Sequence, residues 1–214
     1  MKNEISQATI ERLPLYLRTL GFAEKDGMDI ISSDEFGRRL DITPEQIRKD
    51  LASFGQFGKK GVGYYVSELK NRIANILGLE NHWNFAIVGL GHLGSALANY
   101  RNFVELGFNL VALFDNDKEI IGTTLNGIKV SDVSELKDLI TEREIHIVII
   151  AVPALEAQNI IDVLVESEVR GVWNFSPIKL RMPAPKYIVN ADLSVGLTSL
   201  SYYLSKDAAN VSIK

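Results

Sequence analysis

Phe85-Ala86-Ile87-Val88-Gly89-Leu90-Gly91-His92-Leu93-Gly94-Ser95-Ala96-Leu97 is the stretch on which the fold turns. Its first four residues form an apolar run typical of a buried strand. They lead straight into a G-x-G-x-x-G pattern and then into good helix formers. Strand, glycine turn and helix are the context that a dinucleotide-binding fingerprint requires. Gly89 permits the tight turn, Gly91 lets the backbone approach a pyrophosphate, and Gly94 lets helix and strand pack closely. Backbone N–H groups at the helix start then face the anion. His92 and Leu93 count as cofactor-binding positions by their place in this turn, and no separate chemistry is assigned to the His92 ring.

Toward the carboxyl end, Leu110 to Phe114 reads as a second strand ending at Asp115, 21 residues past Gly94. The fingerprint expects a carboxylate about 20 residues on, bonding the adenine ribose hydroxyls. A carboxylate there repels a 2′-phosphate, which favours NAD(H) over NADP(H). Further strands are expected at Ile145 to Ala151, Val169 to Trp173 and Tyr187 to Ala191. Strands alternating with helices give an α/β fold, a Rossmann-type doubly wound parallel sheet. Ligands of such sheets sit beyond the carboxyl ends of the strands. That places Val152-Pro153 and Asn174-Phe175-Ser176-Pro177 near the nicotinamide half, although each also reads as a plain strand-ending turn.

Toward the amino end the pattern changes near Gly78 to Asn84. A first helix carries Ile10, Leu13, Leu17 and Leu20 at helical spacing, with Pro14 expected to kink or restart it and Arg12 and Arg18 on its polar side. A second begins at Ser32, with Glu35 three residues later as a capping box. A third has Thr43 as N-cap, Pro44 in the first position and Gln46 in the third. Ile47, Leu51 and Phe54 face inward, which leaves Arg48 and Lys49 outside. The segment 55–65 holds four glycines around Lys59 and Lys60, which suits a hairpin with a cationic tip. Together these elements read as a winged helix-turn-helix whose third helix enters the major groove while the wing meets phosphates. Thr43, Gln46, Arg48, Lys49, Lys59 and Lys60 are the candidate DNA contacts. A helix from Glu68 to Leu77, capped by Ser67, follows.

Composition sets outer bounds. The chain has 214 residues, a net charge of −4 and no cysteine. Thiolate metal sites and thiol-based redox sensing are therefore excluded. His82, His92 and His146 are scattered, so no metal site is expected. Between Phe36 and Val66 six basic residues meet three acids, a net of +3, whereas 81–214 carries 11 basic and 15 acidic residues. No window approaches the roughly 18 apolar residues of a membrane helix. The first ten residues are polar and unlike a signal peptide, so the expected location is cytoplasmic.

An enzyme is not expected. Only Asp192 to Lys214 follows the last strand, too little for a substrate domain. His146 falls at the wrong end of the sheet for hydride chemistry. Tyr202 and Lys206 form Y-x-x-x-K, the pair of short-chain dehydrogenases, but that family's T-G-x-x-x-G-x-G spacing is missing. Tyr202 reads as a packing aromatic. A small NAD-dependent oxidoreductase with a helical N-terminal dimerisation region stays open as the alternative.

Arg12-Leu13-Pro14-Leu15-Tyr16-Leu17-Arg18, Gln46 to Leu51, Phe54-Gly55 with Gly61-Val62-Gly63-Tyr64, Ile76 to Leu79, Gly89 to Leu97, Asn174 to Pro177 and Asp192 to Leu197 occur in one order. In this the chain resembles the Rex family of bacterial redox-sensing repressors over nearly its whole length. The resemblance implies a DNA-binding domain at 1–80, an NAD(H)-binding Rossmann domain at 81–192 and a dimerisation helix and tail at 193–214. It implies a homodimer in which that last helix is swapped onto the partner, presenting two recognition helices to a pseudo-palindromic operator in double-stranded DNA. NADH closes the dimer and releases the operator. It further implies a switch in which Arg18 pairs with Asp192 of the other subunit and Tyr100 sits near the nicotinamide.

Overall fold

The computed structural model describes residues 5–59 and 61–211. The chain divides into two compact units that meet between Asn81 and His82.

In the first unit, α1 (Gln7–Lys25) runs unbroken through Pro14, so the helix does not restart there. Its buried stripe is Thr9, Leu13, Tyr16, Leu20 and Ala23 rather than one that includes Ile10, which is exposed. A short strand β1 (Ile30–Ile31) leads to α2 (Ser33–Leu40), whose N-cap Ser32 accepts from Glu35 N–H. Glu35 does not complete a capping box, because its carboxylate pairs with Arg38 and Arg39 instead. Asp41 then adopts a left-handed conformation, φ 55°, that turns the chain into α3 (Pro44–Ala52). After the glycine-rich segment, β2 (Tyr64–Tyr65) pairs antiparallel with β1. The next helix, α4 (Val66–Ile76), starts two residues before the expected Glu68; Tyr65 is its N-cap and Ser67 lies within the first turn. Leu13, Tyr16, Phe36, Ile47, Leu51 and Ile73 fill one core between these helices.

In the second unit, a 3₁₀ turn (Leu79–Asn81) gives way to β3 (Trp83–Val88), α5 (His92–Ala98), α6 (Asn102–Glu105) and β4 (Phe108–Asp115). Then come β5 (Thr124–Leu125), β6 (Ile128–Asp132), α7 (Leu136–Glu142), β7 (Ile147–Ile150), α8 (Ala154–Val165), β8 (Gly171–Asn174), β9 (Tyr187–Asn190) and α9 (Ser194–Val211). The sheet order is β5-β6-β4-β3-β7-β8-β9. All neighbours are parallel except β5 with β6. Leaving out β5, the parallel strands follow the 3-2-1-4-5-6 order of dinucleotide-binding sheets. The hairpin β5–β6, closed by Asn126-Gly127 with positive φ at both residues, was not anticipated.

Alternation along β3 divides the core. Ala86 and Val88 pack on the face covered by α7 and α8, while Phe85 and Ile87 pack toward α5 and α6. On that second face an apolar groove of about 300 Å³ lies open over β7, β8 and β9, lined by Phe103, Ile149, Trp173 and Val189 among others. Leu193, just before α9, and Leu197, Leu200 and Leu204 along it are all exposed. Tyr202 is exposed as well; its ring meets Tyr203 and lies under the Lys206 ammonium at 5.0 Å.

Candidate functional site

The carboxyl ends of four neighbouring parallel strands, β4, β3, β7 and β8, lie side by side along one edge of the sheet, where a ligand crevice is expected. At its centre Gly89 has φ +93°, a backbone state that L side chains rarely adopt. A Cβ there would meet the Ala151 carbonyl oxygen at 2.6 Å and Val152 Cγ1 at 2.7 Å. A Cβ at Gly94 would run into the Gly89 carbonyl, so the first turn of α5 can press against the strand only without one. A Cβ at Gly91 would meet nothing within 4 Å. That open side is where a pyrophosphate can come close to the backbone. His92 and Leu93 open α5, with His92 exposed and Leu93 half-buried.

Asp115 is buried at the end of β4 and holds the turn from the side. Its Oδ2 accepts from Leu90 N–H at 2.6 Å and its Oδ1 from Asp117 N–H at 2.9 Å. Each carboxylate oxygen has two lone pairs, so both can still accept from a ribose hydroxyl. The same carboxylate is thus placed to shape the glycine turn and to receive a ribose. Val152 is buried against Gly89, and Pro153 caps α8.

Asn174, a candidate cofactor ligand in the sequence, is fully buried. Its amide is spent on the protein: Nδ2 donates to the Ile178 carbonyl and to Asn190 Oδ1, and Oδ1 accepts from Ser176 N–H. It shapes the crevice wall rather than presenting free donors to a ligand. Tyr100 lies beyond α5, half-exposed, with its ring edge-on to Phe103 at 5.0 Å and its hydroxyl accepting from Asn102 Nδ2 at 3.1 Å. Asp192 is exposed, and its Oδ1 accepts from the backbone and hydroxyl of Ser194 at the start of α9. The hydroxyl and backbone donors of Ser194 hold its carboxyl below the usual carboxylate range. Arg18 is exposed on α1, in the other unit.

Of the candidate DNA contacts, Arg48 and Lys59 line one groove of the first unit. Arg48 and Lys49 are exposed on α3, and Lys59 is exposed at the hairpin. Lys59 and Gly63 exchange backbone hydrogen bonds of 3.0 and 3.1 Å, which closes the hairpin tip. Lys59 also lies 5.6 Å from the centre of the Tyr65 ring. Lys60 falls outside the described residues. A groove of about 500 Å³ runs between Arg48 and the hairpin. Thr43 accepts from Gln46 N–H at 3.2 Å as an N-cap, a role that uses one lone pair of its hydroxyl and not its O–H. Gln46 also turns inward, and its Nε2 donates to Asp50 Oδ1 at 2.8 Å.

Asp50 went unnoticed in the sequence. It is buried on the inner side of α3, where Arg12 Nε donates to Oδ2 at 2.6 Å and the Arg12 terminal amino group donates to Oδ1 at 2.8 Å. The Tyr16 hydroxyl donates at 2.7 Å and that of Thr9 at 3.2 Å. Burial pushes the Asp50 carboxyl up, but donors from Arg12, Tyr16 and Gln46 outweigh it and bring it down to about 2. Burial and the neighbouring carboxylate push the Tyr16 phenol well up. This network fixes α3 against α1 and so sets where Arg48 and Lys49 point. Helical spacing alone puts Arg12 on the polar side of α1, one turn from Tyr16, and gives no sign of a partner on α3.

Among the described residues no group of His, Cys, Asp and Glu is placed to hold a metal ion, and no helix is long and apolar enough to cross a membrane.

Comparison with known proteins fits this geometry. Residues 4–52 match a family model described as "Putative DNA-binding protein N-terminus", and residues 80–178 one described as "CoA binding domain". The redox-sensing transcriptional repressor Rex of Syntrophobacter fumaroxidans is 46% identical over 203 residues, covering 94% of this chain and 97% of that protein. The crystal structure of RSP in complex with β-NAD+ and operator DNA superposes with a TM-score of 0.92 at 38% identity, covering 99% of this chain and 97% of the other. RSP in complex with β-NADH gives a TM-score of 0.89 at 38% identity, covering 98% and 99%.

Proposed function

The chain belongs to the Rex family of redox-sensing transcriptional repressors, and from that premise we propose how it works: it binds operator DNA through its first unit and releases it when NADH fills the crevice of its second. The observation that carries this reading is the joining of a fingerprint crevice and a helix-turn-helix on one chain. A similar repressor, RSP, has been crystallised both with β-NAD+ and operator DNA and with β-NADH.

NAD(H) lies across Gly89, Gly91 and Gly94, with its pyrophosphate at the start of α5 and its adenine ribose on Asp115. Val152, Pro153 and the β8 end flank the nicotinamide half. The working unit is a homodimer. The exposed leucines of α9 and the open groove over β7 to β9 are two apolar surfaces that a second copy can cover, by exchange of α9 between copies. Arg18, Tyr100 and Asp192 form the switch, with Arg18 of one copy pairing with the Asp192 position of the other. A ligand shifts such an element only by its differential affinity for the two states, so NADH must bind the released form more tightly than it binds the DNA-bound form. Two recognition helices related by a two-fold axis call for a pseudo-palindromic operator. As a repressor the protein acts where the chromosome lies, in the cytoplasm.

It is not an enzyme on this reading. An oxidoreductase of this fold needs a proton-transfer group at the carboxyl ends of the strands. His146 is at the opposite end, with its Nδ1 accepting from Asn84 N–H and its ring edge-on to Trp83. The test is gel retardation of the operator with and without NADH. Release on adding NADH supports the reading, and a band indifferent to saturating NADH refutes it.

A further inference from the structure

A chain of hydrogen bonds leaves the cofactor crevice and ends at the root of α9. Val152 packs against Gly89 of the phosphate turn, and its carbonyl accepts from the Ser176 hydroxyl at 2.7 Å. Ser176 is buried, and its N–H donates to Asn174 Oδ1 at 2.9 Å. Asn174 Nδ2 donates to Asn190 Oδ1 at 2.9 Å, and the Asn174 carbonyl accepts from Ala191 N–H at 2.8 Å. Asn190 Oδ1 also accepts from Leu180 N–H at 3.0 Å, and its Nδ2 donates to the Leu180 carbonyl at 3.2 Å. One residue past Ala191, Asp192 caps the start of α9.

Asn174 is wholly shielded from water. If Val152 and Ser176 shift, the Asn174 amide must follow them or stand unpaired in the interior, which is strongly unfavourable. Following is the easier course, and it drags Asn190 and Ala191 along. Buried polar networks of this kind behave as a unit rather than as separate pairs.

We infer that Asn174 and Asn190 are positioning residues that couple the occupied crevice to the orientation of α9, so that displacement of the Val152 wall by the nicotinamide half is delivered to the Asp192 end of that helix. This rests on the function proposed above. It adds a relay inside one chain to a switch otherwise placed between copies.

Asn190 is exposed at a strand end, so Asn190→Ala cuts the relay without opening the core. In the full-length protein, NADH affinity is read by nucleotide fluorescence and operator release by retardation. The expected result for Asn190→Ala is an NADH Kd within about twofold of the parent. The NADH needed for half-release rises roughly fivefold or more, the lower end of ordinary coupling between sites. Asn190→Asp keeps the acceptor oxygen for Asn174 and Leu180 and stays nearer the parent. Ser176→Ala cuts the chain at its other end and also raises the ratio of half-release concentration to Kd; it serves should Asn190→Ala melt early. If the two quantities move by one common factor, or neither moves while the parent still responds to NADH, the relay is wrong and the repressor reading stands. A parent protein that NADH never releases overturns both.

Discussion

Helices α3 and α9 are both amphipathic, yet the chain treats them in opposite ways. On α3 the apolar side is finished within its own unit: Ile47 and Leu51 are buried, and Asp50 is gripped by Arg12, Tyr16, Thr9 and Gln46. Arg48 and Lys49 face out beside Glu45 and Ala52, and the finished inner side fixes where the two cations stand. On α9 nothing is finished. Leu197 is 75% exposed and Leu204 69%. Burying a leucine side chain is worth roughly 1.5–3 kcal/mol, so a helix with three open leucines loses several kcal/mol while it stays uncovered. The rigid element suits reading DNA, which needs fixed geometry. The uncovered one suits coupling two copies, which needs a surface whose cover can change.

The largest effect should come from breaking the unfinished side. Replacing Leu197 and Leu200 together with Asp removes about 4 kcal/mol of apolar burial from each copy, about 8 kcal/mol per dimer. That corresponds to a rise in the dimer dissociation constant of roughly a hundred-thousandfold, read by sedimentation equilibrium as a monomer. Unchanged dimerisation would show that α9 is not the covering element.

The finished side is tested by Asp50→Ala, which leaves the Arg12 guanidinium and the Tyr16 hydroxyl without their partner. Breaking a buried pair from one end costs about 3–5 kcal/mol, and urea unfolding of the first unit should show about 3. The pH dependence sharpens this. Because the folded Asp50 carboxyl titrates at about 2 and its ordinary value is 3.8, its contribution is full above about pH 4. It is lost as pH falls through 2, because the unfolded chain then binds the proton first. Asp50→Asn should be less stable at neutral pH and should lack that acid limb.

Smaller still is the effect at the crevice. Asp115→Ala removes the carboxylate proposed to accept from the ribose and leaves Leu90 N–H without its acceptor. Hydrogen bonds to charged groups contribute about 1.5–3 kcal/mol, so NADH binding should weaken by roughly tenfold to a hundredfold in a fluorescence titration, with operator affinity unchanged in the absence of nucleotide. Arg48→Ala should do the reverse, with operator affinity falling by about 1–3 kcal/mol and NADH binding intact. If either substitution disturbs both ligands equally, the division of labour between the units is mistaken.

What was legible in the sequence follows the same contrast. The glycine turn, the β3 run and Asp115 announce themselves because strand, turn and carboxylate are local signals with fixed spacing. The helix-turn-helix was legible through Ser32, Thr43 and Pro44, whose capping chemistry acts within three residues. Asp50 was not legible, since its partner Arg12 lies 38 residues away and periodicity cannot tell a buried ion pair from a solvated face. Pro14 suggested a restart that does not occur, because tertiary packing outweighs the hydrogen bond it forfeits. The β5–β6 hairpin was missed although Asn126-Gly127 is a strong turn signal. Asn174 was legible as a crevice residue but not as one whose amide is already spent, which only the Asn190 and Ile178 contacts reveal. Asn190 gave no signal of its own.

The central claim is that reduced nicotinamide in the crevice governs the hold on DNA. Its most direct test is operator binding by fluorescence anisotropy at constant total nucleotide while the ratio of NADH to NAD+ is raised. The account predicts a steep loss of bound operator as NADH comes to dominate, with NAD+ alone leaving it bound. A flat anisotropy across the whole range would contradict it.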